Sequence, residues 1–449
     1  MIIIKNGTLV RDCEFQADLA VEGKQILKIA ETIEPGPGDR VIDASGCYVF
    51  PGFIDAHTHF QMKNAITTTA DSFETGTKAA VMGGTTTIIN FASPVKGGTL
   101  YDAYNESMKK AEGHCSSNFR FHMEIIDMNS SIASEIVRMP SLGVTSFKVY
   151  LAYDFRLDDA AVYSCLKAVK KAKGLLGVHC ENGDILKVKA AELKASGELT
   201  PASHPKAHPA EAEAEAISRL AYIGKLVGYP VHVVHLSSYA GLAEIRKARG
   251  MGIEITAETC PQYLVLDESR YNLPGFESAK YVMSPPLRSI SDQTALLQAI
   301  RRGDIQTIAT DHCSYNYADQ KSLGRDDFTK IPGGAPGVEH RVPLMYTRLV
   351  HDGLISIEKF VALLSENPAK MYGMYPWKGL LAEGSDADIV IYRKDGTHVI
   401  EAARQTQNVD YTPYEGMSVQ GSVRDVLVNG VPVVENGMLT HPYMGTYVH

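Results

Sequence analysis

The residues able to do chemistry in this chain are scattered, but their types agree. His57 and His59 stand two apart in Asp55-Ala-His-Thr-His59. On an extended backbone that spacing sends both imidazoles to one face, where they can share a cation. Lys148 follows in SFKVYLAY, His179 in GVHCEN, His235 in HVVHLSS and Asp311 in IATDHCS. Imidazole and carboxylate donors suit zinc, with nickel, cobalt or manganese as substitutes. Four His and one Asp exceed what a single tetrahedral site with an open position can use, so the set points to two divalent ions per subunit. Such a centre activates water and polarises a carbonyl, which is hydrolytic chemistry. Taken singly, each residue has an ordinary reading. A buried His is commonly a hydrogen-bonded core residue, Lys148 could snorkel, and Asp311 could cap a helix. The inference rests on the set.

Something must bring these positions together. Eight β-rich apolar runs alternate with helical stretches: Tyr48–Ala56, Thr85–Phe91, Phe119–Ile126, Val144–Leu151, Leu175–His179, Pro230–Leu236, Ile253–Ala257 and Ile305–Thr310. Continuous apolar strands belong to a parallel sheet buried on both faces. The segments Asp102–Glu112, Asp158–Ala172 and Ala210–Val227 carry apolar residues at helical spacing. Eight such alternations predict a (β/α)8 TIM barrel, an α/β fold whose active site lies at the C-terminal ends of its strands. The candidate donors fall at or just beyond those ends. A doubly wound open sheet is the alternative, but no Gly-rich turn opens a helix to support it. The stretch from Cys260 to Asp304 is long for a crossover and is expected to hold extra structure over the active face.

Both ends of the chain have a different texture. Met1–Ile4, Gln16–Val21, Gln25–Ile29 and Arg40–Ala44 read as short strands, as do Asp388–Arg393, Val423–Val428 and Val431–Val434 around an Asn429-Gly430 hairpin turn. We therefore expect a small β-sandwich domain formed from both chain ends: residues 1–50 and 376–449 flanking a barrel over 51–375. A net charge of -8 argues against nucleic-acid partners. Seven cysteines without a CxxC pair fit a reducing, cytoplasmic setting better than a disulfide framework. The start MIIIKNGTLV lacks the features of a secretory signal, and no apolar run is long enough to span a membrane.

The segments PGFIDAHTHF, FETGTKAAVMGGTT, FKVYLAY, VHCENGD, VHLSS, AETCPQYL, MSPPLR, IATDHCSYN and GAPGVEHR, with GLLAEGSDADIVI near the end, occur in this order. In them the chain resembles the hydantoinase/dihydropyrimidinase family of the amidohydrolase superfamily over nearly its whole length. The resemblance implies hydrolysis of a hydantoin or dihydropyrimidine ring to an N-carbamoyl amino acid by a hydroxide bridging two divalent metals, most fittingly Zn2+. It implies that Lys148 is carbamylated (N6-carboxylysine) and bridges the ions, that His57, His59 and Asp311 hold one, and that His179 and His235 hold the other. Asp311 would also shuttle the proton; if it does not, His312 is the next residue to test. Tyr153 would bond the substrate carbonyl. Ser284 and Gly333 would hold the ring through main-chain groups, although Gly333 stands where relatives usually carry Asn. A small cyclic ureide or imide is the implied partner, and a homotetramer or homodimer the implied assembly.

Departures narrow the reading. Lys63 sits in a loop that is apolar in many relatives, so it either faces solvent or meets a polar substituent. Phe155, in YDFRLDD, could line the pocket for the ring substituent. Gln61 occupies the position where dihydroorotases usually carry Arg, which argues against orotate chemistry. An allantoinase-like ureide hydrolase remains an alternative. A non-catalytic dihydropyrimidinase-like scaffold is disfavoured, because all six ligand-type positions are kept.

Overall fold

The computed structural model describes residues 1–449. Eight parallel strands follow one another in sequence order: Phe53–Thr58, Thr85–Ala92, Asn118–Glu124, Ser146–Tyr150, Leu175–His179, Val231–Val233, Ile255–Thr259 and Thr307–Ile308. Each strand from the first to the eighth pairs in parallel with the next. The ring closes through a parallel bridge from Thr58 to His312, where His59 N–H donates to the His312 carbonyl at 2.8 Å. This is the expected TIM barrel. Its strands are almost wholly buried, as apolar runs covered on both faces must be.

Both ends of the chain join a second sheet of nine strands. Its spatial order runs Met438–Leu439, Val431–Glu435, Ser418–Val428, Ile389–Val399, Cys47–Pro51, Ile2–Val10, Glu14–Glu22 and Gln25–Ala30, with Arg40–Asp43 also pairing to Ile2–Val10. Apart from the parallel partners of Ile2–Val10, its pairs are antiparallel.

One expected strand is two. Tyr48–Ala56 divides at Gly52: Cys47–Pro51 pairs in the outer sheet, and Phe53–Thr58 begins the barrel. A Cβ at residue 52 would lie 2.0 Å from Thr86 Oγ1, so only glycine allows this close crossing. The long stretch after Cys260 holds Pro261–Val265, two short 3-10 turns and the crossover helix Ile290–Arg302. That helix is capped by Ser289, whose hydroxyl accepts from Asp292 N–H while the Asp292 carboxylate accepts in return from Ser289 N–H. All seven cysteines are free thiols. No helix is long and apolar enough to cross a membrane.

Candidate metal centre

The barrel gathers the expected donors at one mouth. His57 and His59 lie at the end of the first strand, Lys148 in the fourth, and His179 at the end of the fifth. His235 follows the sixth strand by two residues and Asp311 the eighth by three. His57 Nε2 lies 3.2 Å from Asp311 Oδ1, and His59 Nε2 lies 3.1 Å from the same oxygen. His179 Nδ1 and His235 Nε2 face each other at 2.9 Å. The two subsets adjoin, since donor atoms of His57, His235 and Asp311 all fall within 4.8 Å of one another.

Burial sets the charge state of these rings. His57, His179 and His235 are each at most 2 % exposed, and desolvation holds their pKa values below the ordinary imidazole range. They are therefore neutral, as metal ligands must be. Lys148 is also buried. Desolvation lowers its pKa against the opposing pull of Asp311, Glu258 and Glu124, and no carboxylate lies within ion-pair distance of its Nζ. Its Nζ sits instead over the Phe91 and Tyr150 rings, at 5.0 and 4.9 Å from their centroids.

The arrangement fits resident cations. Buried polar atoms normally find partners, yet His57 Nε2, His59 Nδ1, His235 Nδ1 and Glu258 Oε2 have none within the protein. His57 and His179 are oriented from behind. Glu258 Oε1 lies 2.7 Å from His57 Nδ1, which directs Nε2 toward Asp311. Glu181 Oε2 lies 2.9 Å from His179 Nε2, leaving Nδ1 toward His235. The other Glu181 oxygen meets His208 Nδ1 at 2.9 Å. Burial alone would raise the Glu181 carboxyl, but His208 and His179 hold it well below the usual range. A carboxylate behind a ligating imidazole fixes its tautomer and aim.

Three residues at the mouth hold uncommon backbone. Tyr153, His235 and Asp311 have φ values of 73°, 39° and 53°. Such conformations cost about 1–3 kcal/mol each and persist only where surroundings impose them. Around Asp311 the imposition is visible: Thr310 N–H and Oγ1 donate to the Asp55 carboxylate at 3.0 and 2.6 Å, and His312 N–H donates to the His57 carbonyl. His312 is consumed by the same framework. Its Nε2 meets Asp71 at 3.0 Å, and its Nδ1 accepts from the N–H groups of Gly337 and Val338. Both nitrogens are occupied, so His312 is not free to stand in for Asp311 as proton carrier.

The expected substrate groups lie around this mouth. Tyr153 packs against His179, with ring centroids 5.1 Å apart, and stacks on Phe155 at 5.5 Å. One flank of the tyrosine is open. Withdrawal of its hydroxyl from water, reinforced by Glu181 and Asp311, raises its pKa, while the Ser284 side chain beside it acts the other way. A Cβ on Gly333 would lie 3.8 Å from Ser284 Oγ, so these two positions are neighbours. Lys63 is exposed, on a small hairpin where Asn64 N–H donates to the Thr67 carbonyl and the Asn64 side chain reaches the Tyr315 hydroxyl.

Sequence reasoning missed Glu181, His208 and Glu258. Glu181 stands two residues beyond His179, the same-face spacing that singled out His57 and His59. Glu258 lies in the seventh strand, which had no candidate. His208 carried no signal, because it reaches the site from a connection.

A barrel with clustered histidines and a carboxylate at its C-terminal mouth defines a class of metal-dependent hydrolases. The model of the Amidohydrolase family matches residues 48–433, and the chain belongs to that family. Among curated relatives, a D-hydantoinase of Geobacillus stearothermophilus is 41% identical, covering 99% of this chain and 96% of the relative. A D-phenylhydantoinase of Escherichia coli (strain SE11) is 39% identical, covering 98% and 95%. Among solved structures, dihydropyrimidinase from Brevibacillus agri superposes with a TM-score of 0.98 at 40% identity, covering 99% of this chain and 98% of that one.

Proposed function

We propose that the chain opens a cyclic ureide, a hydantoin or dihydropyrimidine ring, by hydrolysing its ring amide to an N-carbamoyl amino acid. The observation that carries the reading is the convergence of His57 Nε2 and His59 Nε2 on Asp311 Oδ1, beside buried nitrogens of His57, His59 and His235 that make no hydrogen bond within the protein. The names of the relatives support the ring class.

Two divalent ions, most fittingly zinc, would be held by His57, His59 and Asp311 on one side and His179 and His235 on the other. Carboxylated Lys148 would add an anionic ligand to the set. Buried with a lowered pKa, the Lys148 amine is suited to add carbon dioxide: its nitrogen forms the bond to carbon and releases a proton. When bound, the ions supply an activated water and a polarised carbonyl. The rest falls to side chains. Asp311, at 16 % side-chain exposure against 1 % for His57, is the donor open to an incoming ring. Its carboxylate takes the proton of the attacking water and delivers it to the ring nitrogen as the C–N bond breaks. Tyr153 donates its hydroxyl hydrogen to the carbonyl oxygen as negative charge develops there. Main-chain groups at Ser284 and Gly333 orient the ring, and Phe155 extends an aromatic shelf toward the substituent.

Rates on dihydrouracil, hydantoin, 5-phenylhydantoin and allantoin test this reading. Turnover of a hydantoin or dihydrouracil with stoichiometric release of the N-carbamoyl acid is expected. Absence of activity on all four with metal bound overturns it, while activity confined to allantoin, a ureido-substituted hydantoin, narrows the substrate to that ureide.

A further inference from the structure

Lys321 is fully buried, yet it belongs to none of the groups above. Its Nζ donates to three main-chain carbonyls: Val282 at 2.8 Å, Pro332 at 2.7 Å and Gly334 at 2.7 Å. Burial lowers the pKa of this amine to about 7, and its protonated form has three donors, one for each carbonyl. The choice of carbonyls is what matters. Pro332 and Gly334 flank Gly333, and Val282 lies two residues before Ser284. We propose that Lys321 is a positioning residue for substrate, a clamp that presents the main-chain groups of Gly333 and Ser284 to the ring. The proposal rests on the cyclic-ureide reading above and deepens it.

The geometry supports this role in two ways. With the carbonyls of Pro332 and Gly334 both drawn to Nζ, the Gly333 carbonyl between them turns to the other side. It lies 3.8 Å from Cys313 Sγ, two residues past Asp311, on an exposed residue. The neighbouring strand of loop is fixed as well. Val282 accepts also from Gly334 N–H at 3.0 Å, Met283 accepts from His204 Nε2 at 2.7 Å, and Pro285 accepts from the Tyr263 hydroxyl at 2.7 Å. The peptide carbonyls on either side of Ser284 are thus engaged from behind. Gly334 is irreplaceable here, because at φ 145° a Cβ would meet the Cys313 carbonyl oxygen at 2.4 Å. A neutral apolar side chain at 321 would leave the Pro332 and Gly334 carbonyls unpaired and Val282 with Gly334 N–H alone, and the loops would relax to satisfy them.

The test compares holoenzyme with Lys321→Met, close in length but without donors, and Lys321→Gln, which keeps an amide donor. On the ring that the wild type hydrolyses best, Lys321→Met should raise KM at least about tenfold, with kcat within about threefold and metal content unchanged, the signature of lost ground-state binding. Lys321→Gln should recover part of the loss. An unchanged KM, or a fall confined to kcat and bound metal, overturns the proposal. Should Lys321→Met not fold, Lys321→Gln decides: a raised KM supports the clamp and an unchanged KM overturns it. A wild type inert on every ring would instead sink the cyclic-ureide reading. The clamp is then read from amide hydrogen exchange, which should quicken at 282–284 and 333–335 in the variant while 57–59 stays protected; no local change overturns it.

Discussion

Two buried lysines show how differently this molecule treats a desolvated charge. Lys378 sits where the outer sheet meets the barrel, at 4 % side-chain exposure, and its Nζ reaches Asp386 at 3.0 Å and Asp388 at 2.5 Å. Asp388 also accepts from Asn118 Nδ2 and from Asn429 N–H, tying the third barrel strand to the sheet. Though burial works against the ammonium, those two carboxylates raise its pKa. Lys148 is as deeply buried and has no such partner, and its pKa falls. One lysine is paired within the protein. The other has no carboxylate partner and lies amid imidazole nitrogens that are also unpaired. At the junction the buried charges are paired, and at the barrel mouth the lysine and several imidazole nitrogens are not, which is where a ligand is expected.

The contrast can be broken at either lysine. The largest effect should come from Lys148→Ala, which should lose bound metal and activity together. Short carboxylic acids added with metal should restore part of the rate. Near-normal activity without additives would remove the carbamate from the scheme, and elemental analysis of active wild type should find close to two divalent ions per chain. Asp311→Asn comes next. The change is nearly isosteric, so the fold should survive while the chemical step slows by about 10²–10⁴-fold. A fall of less than about tenfold in single-turnover rate would move the proton shuttle elsewhere, and His312 is not free to take it.

Lys378→Met should do the reverse. Removing one partner of a buried pair strands the other charge, at a cost of about 3–5 kcal/mol. Urea unfolding should show that loss, while kcat and metal content of the folded fraction stay near wild type. Activity falling faster than stability would mean that the junction also sets the site. The smallest effect is expected at Lys63, which is exposed with no carboxylate in ion-pair range. Lys63→Met should leave the ratio of kcat/KM between 5-phenylhydantoin and a carboxylated hydantoin within about tenfold of wild type. A larger shift, of the size that a charge-assisted hydrogen bond provides, would turn Lys63 into a substrate contact.

Much of this protein is written locally. Buried parallel strands need continuous apolar runs, so the barrel strands and the helix Ala210–Val227 were legible. The donor types at the strand ends, and the two-residue spacing of His57 and His59, followed from the pleat of an extended chain. Other decisions belong to the tertiary structure alone, because their partners are distant in the chain. The division of Tyr48–Ala56 depends on Thr86 crowding Gly52. The aim of His57 depends on Glu258, 201 residues away, and the pairing of Asp388 with Asn118 spans 270. Lys321 reads from sequence as an ordinary surface lysine, since nothing around it marks the three carbonyls that folding brings to its Nζ. Periodicity reports which face a residue takes on its own element. It carries no record of what stands opposite, and at this site the groups standing opposite decide which nitrogen points inward and which lysine lacks a carboxylate partner.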